Sequence, residues 1–132
     1  MEYADLLRWV AAYERLWRTP GTEGLAELFA EDATYSTSPY HQPYRGLEAI
    51  AELWERERDG PDEAFDMTAE IVAVDEGTGV VRVEVRYLRE PPREFRDLWI
   101  VRLHKDGRCT HFEEWPFAPP GETKPSWAPG PS

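Results

Sequence analysis

In the opening segment MEYADLLRWVAAYERLWRT, apolar residues recur at steps of three and four: Leu6, Trp9, Val10, Tyr13, Leu16 and Trp17. That spacing gathers them on one face of a helix, while Arg8, Glu14, Arg15 and Arg18 fall elsewhere. Pro20-Gly21 ends the pattern. Thr22 is placed to cap a short second helix through Leu25, Leu28 and Phe29. AEDATYSTS then reads as a brief strand, SPYHQPYRG as a loop, and Leu47 to about Arg58 as a third helix. This helix buries Leu47, Ile50, Ala51 and Trp54 and stops at Asp59-Gly60-Pro61.

Beyond that breaker the period falls to two. FDMTAEIVAVD predicts a strand, Gly77-Thr78-Gly79 a turn, and VVRVEVRYLRE a strand in which Val81, Val83, Val85 and Tyr87 alternate with Arg82, Glu84 and Arg86. Pro91-Pro92 interrupts. EFRDLWIVRLH and RCTHFEEWPF form a hairpin about Lys105-Asp106-Gly107. Three helices followed by strands in hairpin order predict an α+β domain, a curved antiparallel sheet wrapped around the helices. The domain is expected over residues 1–117, with 118–132 as a Pro/Gly-rich tail.

Composition narrows the function. A chain of 132 residues makes one domain, and 41% hydrophobic residues suffice for a core. A formal net charge of -11 opposes phosphate backbones and anionic lipid, so neither nucleic acid nor membrane is an expected partner. No apolar run is long enough to span a bilayer, and Cys109 is the single cysteine; the expectation is a cytoplasmic protein. His41, His104 and His111 lack ligand spacing, and no Gly-rich phosphate cradle occurs, so no metal or cofactor is expected. Six tryptophans in so short a chain suggest the broad, rigid walls of a ligand cavity.

LFAEDATYSTSPYHQPYRGLEAIAELW, followed by FRDLWIVRLHKDGRCTHFEEWPF, resembles the nuclear-transport-factor-2-like superfamily and, within it, the SnoaL-like branch. The resemblance runs from Leu7 to Phe117. It is carried by the Asp-Ala-Thr strand start, Gly46 before the third helix and the Asp106-Gly107-Arg108 turn. It implies a cone-shaped fold and no particular reaction. In ketosteroid isomerases of this fold a helix Tyr and a strand Asp hold an oxyanion, and a second Asp is the base. The matching positions here are Tyr13, Trp99 and Thr37 or Ser38, so both acids are missing. A SnoaL-like cyclase pair of acid and histidine would fall to Asp97 with His41 or His111. An epoxide-hydrolase network would fall to Asp97, Arg86 or Arg89, and Glu114.

If Trp99 faces inward, strand parity turns Phe95, Asp97, Val101 and Leu103 inward with it. On the returning strand Thr110, Phe112 and Glu114 face in and His111, Glu113 and Trp115 out, unless a bulge slips the register by one residue, exchanging Glu114 for Glu113 and admitting His111 and Trp115. Leu98 and Ile100 then make an apolar patch on the outer face, which predicts a homodimer. Asp97 among aromatics would lose hydration and become an acid or base near neutrality; an ion pair with Arg86 or Arg89 is the alternative. Tyr13 would donate to a ligand oxygen or bond Tyr35 in the core. His41 would shuttle protons or stay solvated. Trp9, Trp17, Phe29, Tyr35, Tyr40, Trp54, Phe95, Trp99, Phe112 and Glu114 complete the expected wall around a small apolar or aromatic ligand. The expected reaction is an isomerisation, cyclisation or dehydration without cofactor. Epoxide hydrolysis and a non-catalytic binding module are the alternatives.

Overall fold

The computed structural model describes residues 1–58, 64–89 and 91–120. The predicted breaker Asp59-Gly60-Pro61 and the tail from residue 121 lie outside the described residues. Three helices, α1 (Tyr3–Trp17), α2 (Leu25–Leu28) and α3 (Leu47–Glu57), lie in a single curved sheet of six strands. These are β1 (Phe29–Ser36), β2 (Tyr44–Arg45), β3 (Phe65–Asp75), β4 (Thr78–Tyr87), β5 (Arg93–Leu103) and β6 (Cys109–Phe117), in the order β2-β1-β6-β5-β4-β3. The expected α+β cone is present.

Four details depart from the expectation. The sheet is antiparallel except where β1 runs parallel to β6, because the chain crosses the whole sheet between them. Tyr44 and Arg45, read as loop, pair with Tyr35 and Thr34 as a two-residue strand too short to show a period. α2 is capped by Gly24 rather than the Thr22 side chain, and Phe29 has already entered β1. The β3–β4 turn sits one residue early, at Glu76-Gly77, where Glu76 takes φ 56°.

The apolar stripe of α1 buries Leu6, Trp9, Val10 and Tyr13, and α3 buries Ile50, Leu53 and Trp54. α1 lies so close to β4 that a Cβ on Gly79 would meet Leu6 Cδ2 at 2.3 Å. Gly46 takes φ 90° and donates to Ala33 O at 2.8 Å, turning β2 into α3. Trp9, Phe29 and Phe112 pack edge and face at the base of the cone; Trp9 Nε1 donates to Leu28 O at 2.9 Å. The outer face is charged, with Arg82–Glu70, Arg86–Glu94 and Arg96–Glu84 bridging neighbouring strands. Leu98 and Ile100 lie half-exposed among them. No helix among the described residues is long and apolar enough to cross a membrane.

Candidate functional site

Above the aromatic base the concave face does not close. α1 contributes Tyr13 and Trp17 to a cavity, β1 Tyr35 with Thr37 just beyond its end, and α3 Leu53, Trp54 and Glu57. The sheet adds Phe65 and Met67 from β3, Val85 and Tyr87 from β4, Phe95, Asp97 and Trp99 from β5, and Glu114 from β6. The space open to the centres of water-sized molecules is about 40 Å³. A single buried water needs roughly 10–15 Å³ on that measure, so the cavity holds a few waters or one small ligand.

Alternation along β5 turns Phe95, Asp97 and Trp99 to the inside, each flanked by an outward neighbour. β6 sets Glu114 directly opposite Trp99 and so diagonal to Asp97. A bulge between Arg102 and Leu103 corrects the expected inward Thr110: Cys109 takes the buried place, and Thr110 Oγ1 donates outward to Arg102 O at 3.3 Å. Cys109, with its thiol pushed up to about 12 by burial, behaves as a small apolar side chain.

Asp97 is 5% exposed and Glu114 8%. Arg86, one expected partner, lies on the other face against Glu94. Loss of hydration dominates Asp97 and raises its carboxyl from 3.8 to about 6, against the pull of hydrogen-bonding Glu114 and Trp99. Glu114 is raised well above the usual carboxyl range, first by burial, then by the charge of Asp97 and the hydrogen bond to it. Burial thus holds both carboxyls above the usual carboxylate range, and their protons belong to the pair. Tyr35 donates to Glu114 Oε2 at 3.3 Å, so the 2.7 Å contact between Tyr13 and Tyr35 has Tyr13 as donor. Burial holds both phenols well above their usual range, so they stay protonated and form a fixed relay.

Of the residues expected to form the site, the structure brings together Asp97, Tyr13, Trp17, Tyr35, Trp54, Phe95, Trp99 and Glu114. Trp9, Phe29 and Phe112 are core beneath the cavity. Tyr40 and His41 are outside it. Ser38 closes a tight turn, accepting from Tyr40 N and His41 N, and this throws both side chains into solvent, with Tyr40 95% exposed. His111 faces outward between Thr34 and Glu113. Sequence reasoning missed Thr37, Leu53, Glu57, Phe65, Met67, Val85 and Tyr87 as wall residues. The phase of β4 had already turned Val85 and Tyr87 inward.

A profile of the SnoaL-like domain matches residues 9–112. The chain belongs to the SnoaL-like family. No curated protein matches this SnoaL-like domain by sequence. Among solved structures it is similar to a computationally designed 17-OHP binder, at 17% identity and TM-score 0.66 over 83% of this chain and 90% of that one. It is also similar to the epoxide hydrolase/cyclase-like enzyme SalBIII, described for a role in pyran ring formation in the polyether salinomycin. That match has 14% identity and TM-score 0.68 over 83% and 88% of the two chains. At such identities the likeness concerns the SnoaL-like fold.

Proposed function

We propose that this SnoaL-like domain binds a small, largely apolar molecule in its aromatic cavity and performs cofactor-free acid/base chemistry on it: isomerisation, cyclisation or dehydration. The observation that carries this reading is the Asp97 side chain, a buried carboxyl that lines the cavity beside a second carboxyl, Glu114. Asp97 accepts a proton from the ligand while its neighbour Glu114 supplies one, and the Tyr13–Tyr35 relay holds Glu114 in place. Epoxide opening uses the same pair: Glu114 protonates the departing oxygen as Asp97 takes the proton of the attacking hydroxyl or water. The likeness to SalBIII favours keeping this reaction in the set.

Incubation with epoxy alcohols, β-hydroxy ketones and enolisable ketones, followed by mass spectrometry, tests the proposal. Turnover is expected to fall about 10²–10⁴-fold in Asp97→Asn. A compound that saturably quenches tryptophan fluorescence yet emerges unchanged throughout the panel would sink the enzymatic reading and leave a binding module. The likeness to a designed 17-OHP binder supports that second role. A homodimer through Leu98 and Ile100 belongs to the same reading, supported by two half-exposed apolar side chains on a charged face. Light scattering is expected to give twice the chain mass, and a monomer at every concentration would refute the contact.

A further inference from the structure

Thr34, His111, Glu113 and Trp115 form one hydrogen-bonded chain on the outer face of the sheet, away from the cavity. Thr34 Oγ1 stands 2.6 Å from His111 Nδ1, His111 Nε2 stands 3.0 Å from Glu113 Oε2, and Trp115 Nε1 donates to Glu113 Oε1 at 3.1 Å. An ionised carboxylate can only accept, so Nε2 carries a proton. In the neutral ring Nδ1 is then bare, and the Thr34 hydroxyl donates to it. A hydroxyl bonded to an imidazole whose far nitrogen is held by a carboxylate has the arrangement of an activated nucleophile. Trp115 holds the other oxygen of Glu113, and all four residues are half-buried, which limits their rotation.

Strand pairing sets this hydroxyl between two cations. Arg45 on β2 pairs with Thr34, Thr34 with His111, and His111 with Arg102 on β5, so the four make one row across four strands. The row lines an open groove together with Asp32, Thr110 and Glu113. Three strand steps put the backbones of Arg45 and Arg102 about 14 Å apart, so their long side chains can converge over Thr34 and His111. On the same face Arg82, Arg86 and Arg96 are each bridged to a glutamate, whereas among the described residues no carboxylate lies within ion-pair distance of Arg45 or Arg102. Glu113 is engaged by His111 and Trp115. Two uncommitted guanidinium groups therefore share the groove with one uncommitted carboxylate, Asp32.

We propose that this groove is a second, acyl-transfer site, with Thr34 as nucleophile and His111 as its base, and that it takes small esters carrying a carboxylate. One guanidinium holds that carboxylate, and the other meets the ester carbonyl oxygen, where negative charge develops. Thr34 Oγ1 attacks the carbonyl carbon while His111 Nδ1 takes the hydroxyl proton. The bond to the alcohol oxygen then breaks, and Nδ1 returns the proton to that oxygen. Water deprotonated at the same nitrogen cleaves the acyl-Thr34 ester, which releases the acid and restores the hydroxyl. Glu113 is a positioning residue for the imidazole. Thr34 and Tyr35 are consecutive and point to opposite faces of β1, so this chemistry is separate from that of the cavity and stands or falls without it.

The test incubates the full chain with 4-acetoxybenzoate and with its neutral methyl ester, following release of the phenol by absorbance and acetylation of the chain by peptide mass spectrometry after an acid quench. Acetyl is expected on Thr34, and the carboxylate ester is expected to turn over about 10-fold faster than the neutral one. Thr34→Val and His111→Gln should each lose about 10²-fold or more, while Thr34→Ser, which keeps the hydroxyl, retains turnover. Replacing both Arg45 and Arg102 by Gln should erase the preference for the carboxylate ester. A Thr34→Val rate equal to wild type overturns the proposal. So does a Thr34 left unacetylated in the wild-type chain, the result expected if a second copy covers the groove. If a variant fails to fold, the acetylated position in wild type decides alone.

Discussion

Glu113 and Glu114 are consecutive residues on one strand, and they meet opposite environments. Glu113 faces out, contacting His111 Nε2 at 3.0 Å and accepting from Trp115 Nε1 at 3.1 Å. Thr34 Oγ1 completes that outer chain at His111 Nδ1, 2.6 Å away. Glu114 faces in, where it meets Tyr35 and a second carboxyl. Residue type therefore says little about function on this sheet; the face decides. Outside, solvent and cations make each carboxylate an ordinary surface group. Inside, dehydration turns the same group into a proton carrier.

The widest gap between the faces should appear as pH dependence. Asp97 titrates near 3.8 unfolded and at about 6 folded, so the native chain binds the extra proton between those values. Its contribution to stability is thus complete below about pH 4 and is lost as pH rises toward 6, by about 3 kcal/mol. Urea unfolding across that window should show the decline in wild type and a flatter profile in Asp97→Asn, with Glu113→Gln following wild type. Parallel slopes for Asp97→Asn and wild type would break the comparison. Tyr35→Phe comes next. It strands the Tyr13 hydroxyl and removes a donor from Glu114, and a loss on the order of 2 kcal/mol is expected. The outer counterpart Trp115→Phe, whose lost bond water can replace, should lose less than half as much. The smallest effect belongs to Arg82→Gln. Its pair with Glu70 is exposed on both sides, and unfolding should shift by under about 1 kcal/mol, less still at high salt.

The fold was legible because its two periodicities are strong. Leu6, Trp9, Val10 and Tyr13 announce a helix face, and Val81, Val83 and Val85 a half-buried strand. With Trp99 set inward by the resemblance, parity turned Asp97 to the same side, whereas the choice between Glu113 and Glu114 hung on a possible bulge. What stayed hidden depends on long-range pairing. Nothing local to Asp97 reveals that Glu114 and not an arginine will stand beside it, since that follows from the β5–β6 register. The bulge that exchanged Thr110 for Cys109 leaves no periodic trace. His41 and Tyr40 misled because loop residues have no repeat to fix their direction, and a turn about Ser38 sent them outward. Leu53 was not singled out on its helix and Phe65 was read only as strand, for apolar wall and apolar core look alike until the space between them is known.

The parallel union of β1 with β6 has a kinetic corollary. β3 to β6 zip as neighbouring hairpins, a local and fast process, whereas β1 must await the last strand across most of the chain. Tyr35 and Glu114, 79 positions apart, meet only at that late step. A ligand that needs the completed relay has no purchase on half-formed intermediates. It should therefore act as a latch, slowing release of β1 and lengthening the lifetime of the native state more than it hastens the folding that creates it.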